Sequence, residues 1–265
     1  MSNKRIAIKK EWLALEKKER KYLDKNAAKE ESKLNKILEE KVPEGLQNTL
    51  DYTFAKAFSL IFEKGLTVIE KTYNKEKIQN DFADKDQKID IAGSSAAFIA
   101  FARQASGSKN LNLLMSGVSG VGMGAMGIGI PDIAVFTAFI LKSMYEMALN
   151  YGFEYESDEE KRFILTVIKG ALSYGEDLKE INDELNEFIN SKTFNDEVWM
   201  RDLINETSKY LSKELLYMKF LQGVPVVGAI GGAFDYVYLK KIMKYAELKY
   251  KRRFIQSKRE EEGLI

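Results

Sequence analysis

Two residue types that carry much of enzyme chemistry are missing from this chain of 265 residues, which contains no cysteine and no histidine. The lack of cysteine excludes a disulfide framework, thiolate metal ligands and a cysteine nucleophile. The lack of histidine excludes the Ser-His-Asp arrangement and the usual proton carrier near neutral pH. An enzyme would depend on carboxylates, lysine, tyrosine, serine or threonine. We expect no cofactor, no metal ion and no assigned catalytic residue.

Proline is also scarce, and the chain has only three. No segment alternates apolar and polar residues with the period of two that is typical of a half-buried strand. The sequence therefore predicts an all-α protein, a multi-helix bundle. The predicted helices cover residues 43–73, 90–105, 131–152, 158–173, 177–190 and 196–221, and a last helix runs from Pro225 to about Ser257.

Three local signals place helix ends. Pro131 suits a first helical position, where its missing N–H would have no partner anyway. Gly152 is a natural C-terminal stop for the same helix. Ser157 and Glu160 form a capping box, in which the hydroxyl accepts from a free helix N–H and the carboxylate reaches back to the cap residue. These signals make the middle of the chain the best-defined part of the prediction.

Charge is balanced overall and segregated locally. The net charge of +1 does not favour a nucleic-acid partner, and we expect none. Residues 4–25 carry +5 and residues 240–259 carry +8, whereas residues 154–206 carry −9. We expect residues 1–41 to form a charged helical arm that packs weakly and residues 42–265 to form the main helical domain.

Two uncharged, glycine-rich runs interrupt this polar chain. The longer covers 22 residues, 110–131, with six glycines, and the shorter covers 15 residues, 220–234, with four. Small residues four apart allow helices to pack closely, and the runs predict a glycine-rich helical hairpin at the centre of the bundle. The longer run also approaches the roughly 20 apolar residues needed to span a bilayer. Burial, lipid contact and a phosphate-cradling loop are the alternatives. The small residues concerned are Ser116, Gly120, Gly124, Gly228 and Gly232.

The last predicted helix is basic and amphipathic. Leu239, Ile242 and Phe254 share its apolar face, while its cations point elsewhere. Such a helix can dock on an anionic membrane, or its basic face can lie against the acidic middle of the chain or in water. The residues predicted to contact a membrane or anion are Lys240, Lys241, Lys244, Lys251 and Arg252.

Three carboxylates lie near the apolar segments: Asp132, Glu146 and Asp235. A buried pair of them could bind a hard cation or serve as acid and base in a pocket. The simpler interpretation is structural, because Asp132 directly follows Pro131 and complements the positive end of a helix dipole.

Two segments, Gly127–Leu165 and Leu221–Arg253, resemble the signature blocks of the EcsC protein family. The marks are the glycine-rich run that ends in Pro131-Asp132, the Tyr151-Gly152 pair and the segment Val224–Ala229. The resemblance covers residues 43–253 and leaves the N-terminal arm outside.

This resemblance implies a bacterial protein with a membrane connection, because the family takes its name from operons that also encode an ATP-driven transporter. An ABC transporter is the implied partner; no reaction and no catalytic residues come with the family. The N-terminus lacks the apolar core of a secretory signal, so we expect a cytoplasmic protein at the inner face of the membrane.

The predicted function is that of a membrane-associated helical protein without established enzymatic activity. One alternative is a soluble helical enzyme or ligand-binding module. The other is a helical toxin or assembly component that inserts into membranes. The sequence leaves the oligomeric state open.

Overall fold

A computed structural model describes residues 2–27, 44–105, 131–221 and 233–265. Within these ranges every regular element is helical, which confirms the predicted all-α class. The helices are α1 (Asn3–Ala27), α2 (Glu44–Leu60), α3 (Leu66–Glu70), α4 (Lys75–Ala92), α5 (Ser95–Ala105), α6 (Pro131–Asn150), α7 (Asp158–Leu172), α8 (Gly175–Ser191), α9 (Met200–Leu221) and α10 (Ala233–Glu261), with a π-helical turn at Ile61–Gly65.

The glycine-rich hairpin stays a prediction, because most of both runs lies outside the described residues. The same holds for the five small residues assigned to helix packing, namely Ser116, Gly120, Gly124, Gly228 and Gly232.

The apolar helix α6 lies at the centre of the bundle. It packs against α2, α4 and α10. From Ile133 to Asn150 its side chains are buried or half-buried, and Ile133, Ile140 and Tyr145 are fully inaccessible. The helix begins at Pro131 and ends two residues before Gly152, as the sequence predicts.

Helix α7 forms a second central element, in contact with α8, α9 and α10. Ser157 caps it, and its hydroxyl accepts from the Glu160 N–H at 3.1 Å. The predicted return bond of the capping box is replaced, because the Glu160 carboxylate accepts from the Tyr250 hydroxyl at 2.7 Å and pairs with Arg253. Glu160 therefore ties α7 to α10.

Two predicted helices are divided in the structure. The segment predicted as one helix over 90–105 belongs to α4 and α5, which separate where the Gly93 N–H bonds the Ile89 carbonyl at 2.8 Å. The segment predicted as a helix over 43–73 turns π-helical at Ile61–Gly65 before α3. Both errors concern the boundaries of helices, and the helical class of the segments is right.

The N-terminal helix is an integral part of the bundle, so the predicted weak packing is wrong for residues 3–27. Helix α1 contacts α5, α8 and α10. It runs antiparallel to α10, since Lys4 lies 3.0 Å from Glu262 at one end and Asn26 shares a groove with Val237 at the other. The predicted boundary near residue 41 lies outside the described residues.

Close helix packing occurs at a glycine that the sequence analysis did not single out. Gly170 lies in α7 where it meets α8 and α10, and a Cβ there would lie 2.7 Å from Tyr245 Cε1 and 3.0 Å from Ile181 Cγ2. Tyr245 is fully buried and has little room to move.

We expect Gly170→Ala to lower the free energy of unfolding by about 1–3 kcal/mol, because overpacking outweighs the gain in helix propensity of up to about 1 kcal/mol. Chemical denaturation measures the change. Gly45→Ala is the control, since a Cβ at Gly45 in α2 meets nothing within 4 Å. A Gly170→Ala variant at least as stable as the parent would show that α7 and α10 can accommodate the added methyl group, contrary to the expected overpacking.

Candidate anion-binding groove

A groove of about 700 Å³ lies between the second half of α1 and the first half of α10. Its lining includes six lysines and one glutamate, a formal charge of +5. We call it the lysine groove. Its residues are Leu15, Lys18, Lys21, Tyr22, Lys25 and Asn26 of α1, and Val237, Lys241, Lys244, Glu247, Leu248 and Lys251 of α10.

Helical spacing explains why these side chains share one opening. On α10 the lining residues 237, 241, 244, 248 and 251 are four or three apart and form one stripe. On α1 the residues 15, 18, 22 and 25 follow the same spacing. Each stripe mixes apolar side chains with lysines, whose long stems can lie along apolar surface while the ammonium groups reach water. The groove therefore has an apolar floor and cationic walls.

Glu247 is the one carboxylate among the lining residues. Burial raises its pKa, and the positive charges of Lys18, Lys251 and Lys244 act in the opposite direction. Lysines of both helices are thus close enough to influence a single carboxylate. The groove keeps an excess of positive charge even when Glu247 is ionised, although Lys251 pairs with Glu11 and Lys241 lies 3.7 Å from Glu214, two carboxylates outside the lining.

The floor of the groove is held by aromatic packing. Tyr22 is buried and stacks on Tyr245 of α10, with the ring centroids 5.0 Å apart. Burial raises the pKa of Tyr22 above its usual range, so its hydroxyl stays neutral. Asn26 donates to the Tyr22 carbonyl at 2.7 Å and closes the last turn of α1.

Two of the five predicted contact residues line the open part of the groove. Lys244 is exposed. Lys241 lies at the rim, where it bonds the Tyr174 hydroxyl at 2.5 Å and lies 3.7 Å from Glu214. Lys240 is exposed and lies outside the lining.

The remaining two predicted residues face α1. Lys251 borders the groove and pairs with buried Glu11 at 3.1 Å. Arg252 pairs with Glu19 at 2.6 Å, and its guanidinium lies 4.5 Å from the centroid of the Trp12 ring. Both cations already have internal anionic partners, so a role in external anion binding stays a prediction for them.

Lys249, a residue that the sequence analysis missed, joins three helices. It is fully buried and pairs with Glu19 of α1 and with the amide oxygens of Asn182 and Asn186 of α8. Burial lowers the pKa of Lys249 to about 8. Burial alone would raise the pKa of Glu19, but the charges of Lys249 and Arg252 more than offset that effect and lower it. This cluster fixes the wall that α1 contributes to the groove.

Lys18, Lys21 and Lys25 were also missed as site residues. The sequence carried two signals for them: the charge of +5 over residues 4–25, and their spacing of three and four along one helix face. Neither signal says that this face meets α10. The contact between α1 and α10 depends on the tertiary structure, which local sequence signals do not reveal.

The predicted pocket carboxylates are only partly visible. Glu146 lies on α6, 3.8 Å from Lys142, and burial raises its pKa. The side chains of Asp132 and Asp235 lie outside the described residues, so their separation stays open. Across the described part of the chain, no three acidic side chains are grouped as a metal ion would require.

One helix of the described ranges is long and apolar enough to cross a membrane. This is the segment Ile133–Asn150 of α6, with a mean hydropathy of 1.2. Because 83% of it is buried inside the protein, it also fits the core helix of a soluble protein.

Comparison with known proteins extends the resemblance to nearly the whole chain. No curated protein and no solved structure matches it. A sequence model of the EcsC protein family matches residues 7–255. The match includes α1, which the sequence analysis had placed outside, and it covers both walls of the lysine groove. The chain therefore belongs to the EcsC protein family.

Proposed function

We propose that the protein works at the anionic inner face of the cell membrane, where the lysine groove receives the phosphate-bearing headgroups of lipids. The observation that carries the proposal is the convergence of six lysines from two helices on one opening, four of them exposed to solvent: Lys18, Lys21, Lys25 and Lys244. A membrane protein such as the ABC transporter implied by the resemblance is the partner that this location would bring within reach.

The chemistry of the lining favours an amphiphile. Lysine ammonium groups are compact point charges that suit phosphate oxygens approaching from several directions. The floor of Leu15, Tyr22 and Leu248 offers apolar contact below them. A lipid headgroup combines phosphate with an apolar neighbourhood, whereas a free inorganic anion would leave the floor uncovered. Each lysine near an anionic surface contributes about 1 kcal/mol to binding.

Burial of α6 supports surface binding over insertion. Insertion of Ile133–Asn150 would require α6 to leave its contacts with α2, α4 and α10. It would also carry Lys142 and Glu146 into the bilayer, and charged side chains there are costly. Docking through α1 and α10 leaves the core intact. The inserting toxin and the carboxylate enzyme remain alternatives that no described contact favours.

Co-sedimentation with vesicles tests the proposal. We expect binding to phosphatidylcholine vesicles that contain about one third phosphatidylserine at about 0.15 M salt, weak binding to pure phosphatidylcholine, and a loss of binding as the salt concentration rises toward about 1 M, where the Debye length falls to about 3 Å. The triple variant Lys18→Glu, Lys21→Glu, Lys244→Glu should bind the anionic vesicles at least about 100-fold more weakly, at about 1 kcal/mol for each lysine.

The matched control is the triple variant Lys77→Glu, Lys88→Glu, Lys209→Glu. These three lysines are exposed on α4 and α9, outside the lining of the groove, and the change in net charge is identical. If the two triple variants lost vesicle affinity equally, binding would depend on the net charge of the protein and not on the lysine groove, which would contradict the proposal.

A further inference from the structure

A second cleft, of about 600 Å³, lies between the start of α7 and the connection from α8 to α9. It shares no lining residue with the lysine groove. Four carboxylates surround it, contributed by Asp158, Glu159, Asp196 and Glu197, and Arg162 is the one cation of the lining. We call it the Trp199 cleft, after the indole at its edge.

Trp199 is the most exposed large apolar side chain in the described part of the chain. Its side chain is 80% accessible, and the adjacent Val198 is also exposed. The backbone beneath it is fixed, because the Trp199 carbonyl accepts from the N–H groups of Asp202 and Leu203 at 2.9 and 3.1 Å in the first turn of α9. The indole is therefore exposed to water above an ordered turn, and tryptophan is one of the residue types enriched at protein interfaces.

Arg162 forms an ordered wall of the cleft. Its guanidinium lies 3.9 Å from the centroid of the Phe194 ring and bonds the carbonyl and carboxylate of Asp196 at 2.7 and 2.5 Å. Phe194 in turn stacks on Phe188 of α8 at 4.3 Å. Although Arg162 is 91% buried, its Nε atom has no hydrogen-bond partner among the described residues. The wall is therefore ordered, while the carboxylates of Asp158, Glu159 and Glu197 remain exposed at the rim.

We propose that the Trp199 cleft binds an arginine- or lysine-bearing segment of a partner protein, with one cationic side chain over the Trp199 ring and others against the rim carboxylates. Tryptophan is the best of the aromatic side chains for binding a cation through its face. Exposed carboxylates around an apolar anchor complement a basic partner and speed its approach. This inference is independent of the proposed lipid site.

The charge of the cleft decides between classes of partner. The four carboxylates outnumber the two nearby cations, Arg162 and the Lys161 that pairs with Asp158 at 3.0 Å, so the cleft would repel an anionic membrane or a nucleic acid. A second copy of this chain is a competing partner, because both of its ends are basic. The cleft, of about 600 Å³, has room for one or two cationic side chains of an extended segment.

Isothermal titration calorimetry with two synthetic peptides tests this proposal. The first is acetyl-Gly-Arg-Leu-Arg-Gly-amide, and the second has glutamate in place of both arginines. We expect the arginine peptide to bind and the glutamate peptide not to bind. Trp199→Ala should weaken it at least fivefold, and so should the double variant Glu159→Gln, Glu197→Gln. All three positions are exposed, so the fold should be unaffected, which circular dichroism can verify.

The double variant Glu76→Gln, Asp84→Asn is the charge-matched control. It removes two exposed carboxylates from α4, outside the cleft, and should bind the arginine peptide as the parent does. Equal weakening in both double variants, or unchanged binding by Trp199→Ala, would overturn the proposal. Self-association in sedimentation velocity that Trp199→Ala abolishes would overturn it in favour of a second copy of the chain.

Discussion

Replacing Glu19 with alanine should lower the free energy of unfolding by about 3–5 kcal/mol, because it removes the carboxylate that pairs with both Lys249 and Arg252 between α1 and α10. Lys249 is fully buried and Arg252 is largely so. Without Glu19, Lys249 would stay in the core beside the amide oxygens of Asn182 and Asn186, and Arg252 would stay beside the Trp12 ring. Natural domains have a free energy of unfolding of about 5–15 kcal/mol, so this single substitution would remove a large fraction of the stability of the protein.

The pH dependence of this effect has a definite sign. The pKa of Glu19 is lowered in the folded state, so its stabilising contribution is present above about pH 4.5 and is lost as the pH falls through the lower folded-state value. The pKa of Lys249 is lowered to about 8, so the buried ammonium opposes folding below that pH, and stability from this group rises between about pH 8 and 10.5.

Glu19→Gln provides a milder variant that keeps the shape of the side chain. Without the carboxylate, the pKa of Lys249 should fall below 8, and the folded variant releases that proton earlier than the parent does. The difference in stability between parent and variant should then be largest at about pH 5–7 and smaller at about pH 9. Urea denaturation at each pH measures it.

Asp24→Asn is the control on the same helix. Asp24 is exposed, and its replacement should change stability by less than about 0.5 kcal/mol. If Glu19→Ala and Asp24→Asn were equally mild, the contacts of Glu19 with Lys249 and Arg252 would not hold α1 to the bundle.

The helices of the middle of the chain were predictable because their end signals are local. Pro131, Gly152 and Ser157 act through the backbone within one helical turn, and the structure places each at the predicted end. The break at Gly93 was missed because a single glycine within an apolar segment is also compatible with an uninterrupted helix.

The packing of α1 was mispredicted because its buried face is partly polar. The buried residues Ile8, Glu11, Leu15, Glu19, Tyr22 and Asn26 follow a regular spacing of three and four. The period of a buried helix face was therefore present in the sequence. An apolar pattern alone does not reveal it, because two of the six residues are glutamates whose partners lie more than 200 residues away.

The lysine groove was predictable only in part for the same reason. Lys241 and Lys244 belong to one basic helix, and their shared face follows from spacing. Lys18, Lys21 and Lys25 complete the site from a helix at the other end of the chain. Helical spacing places the lysines of each helix on one face, whereas the antiparallel packing of α1 on α10 brings the two faces together.

Replacing Gly152 with alanine is the second change expected to have a large effect, a loss of about 2–5 kcal/mol in the free energy of unfolding. Gly152 ends α6 with φ +83°. Its N–H bonds the Leu149 carbonyl at 3.0 Å, and the next N–H, of Phe153, bonds the Ala148 carbonyl at 2.9 Å. This pair of bonds is a Schellman motif, which requires a residue that tolerates positive φ.

A second cost at Gly152 comes from contact with α4. A Cβ there would come within 2.8 Å of three atoms of the Phe82 ring. That ring is held edge-on against Phe101 and Phe254, with centroids 6.1 and 6.2 Å away, so it cannot turn aside freely.

Gly175→Ala separates the two costs of the Gly152 change. Gly175 has φ +58°, and a Cβ there meets nothing within 4 Å, so this control should cost only the backbone strain of about 1–2 kcal/mol. The excess loss at Gly152 then measures the overlap with Phe82. Phe82→Ala combined with Gly152→Ala should remove that excess, giving a favourable coupling energy in a double-mutant cycle. Equal losses at Gly152 and Gly175, with no coupling to Phe82, would mean that α4 yields at this contact and that the aromatic cluster does not fix its distance from α6.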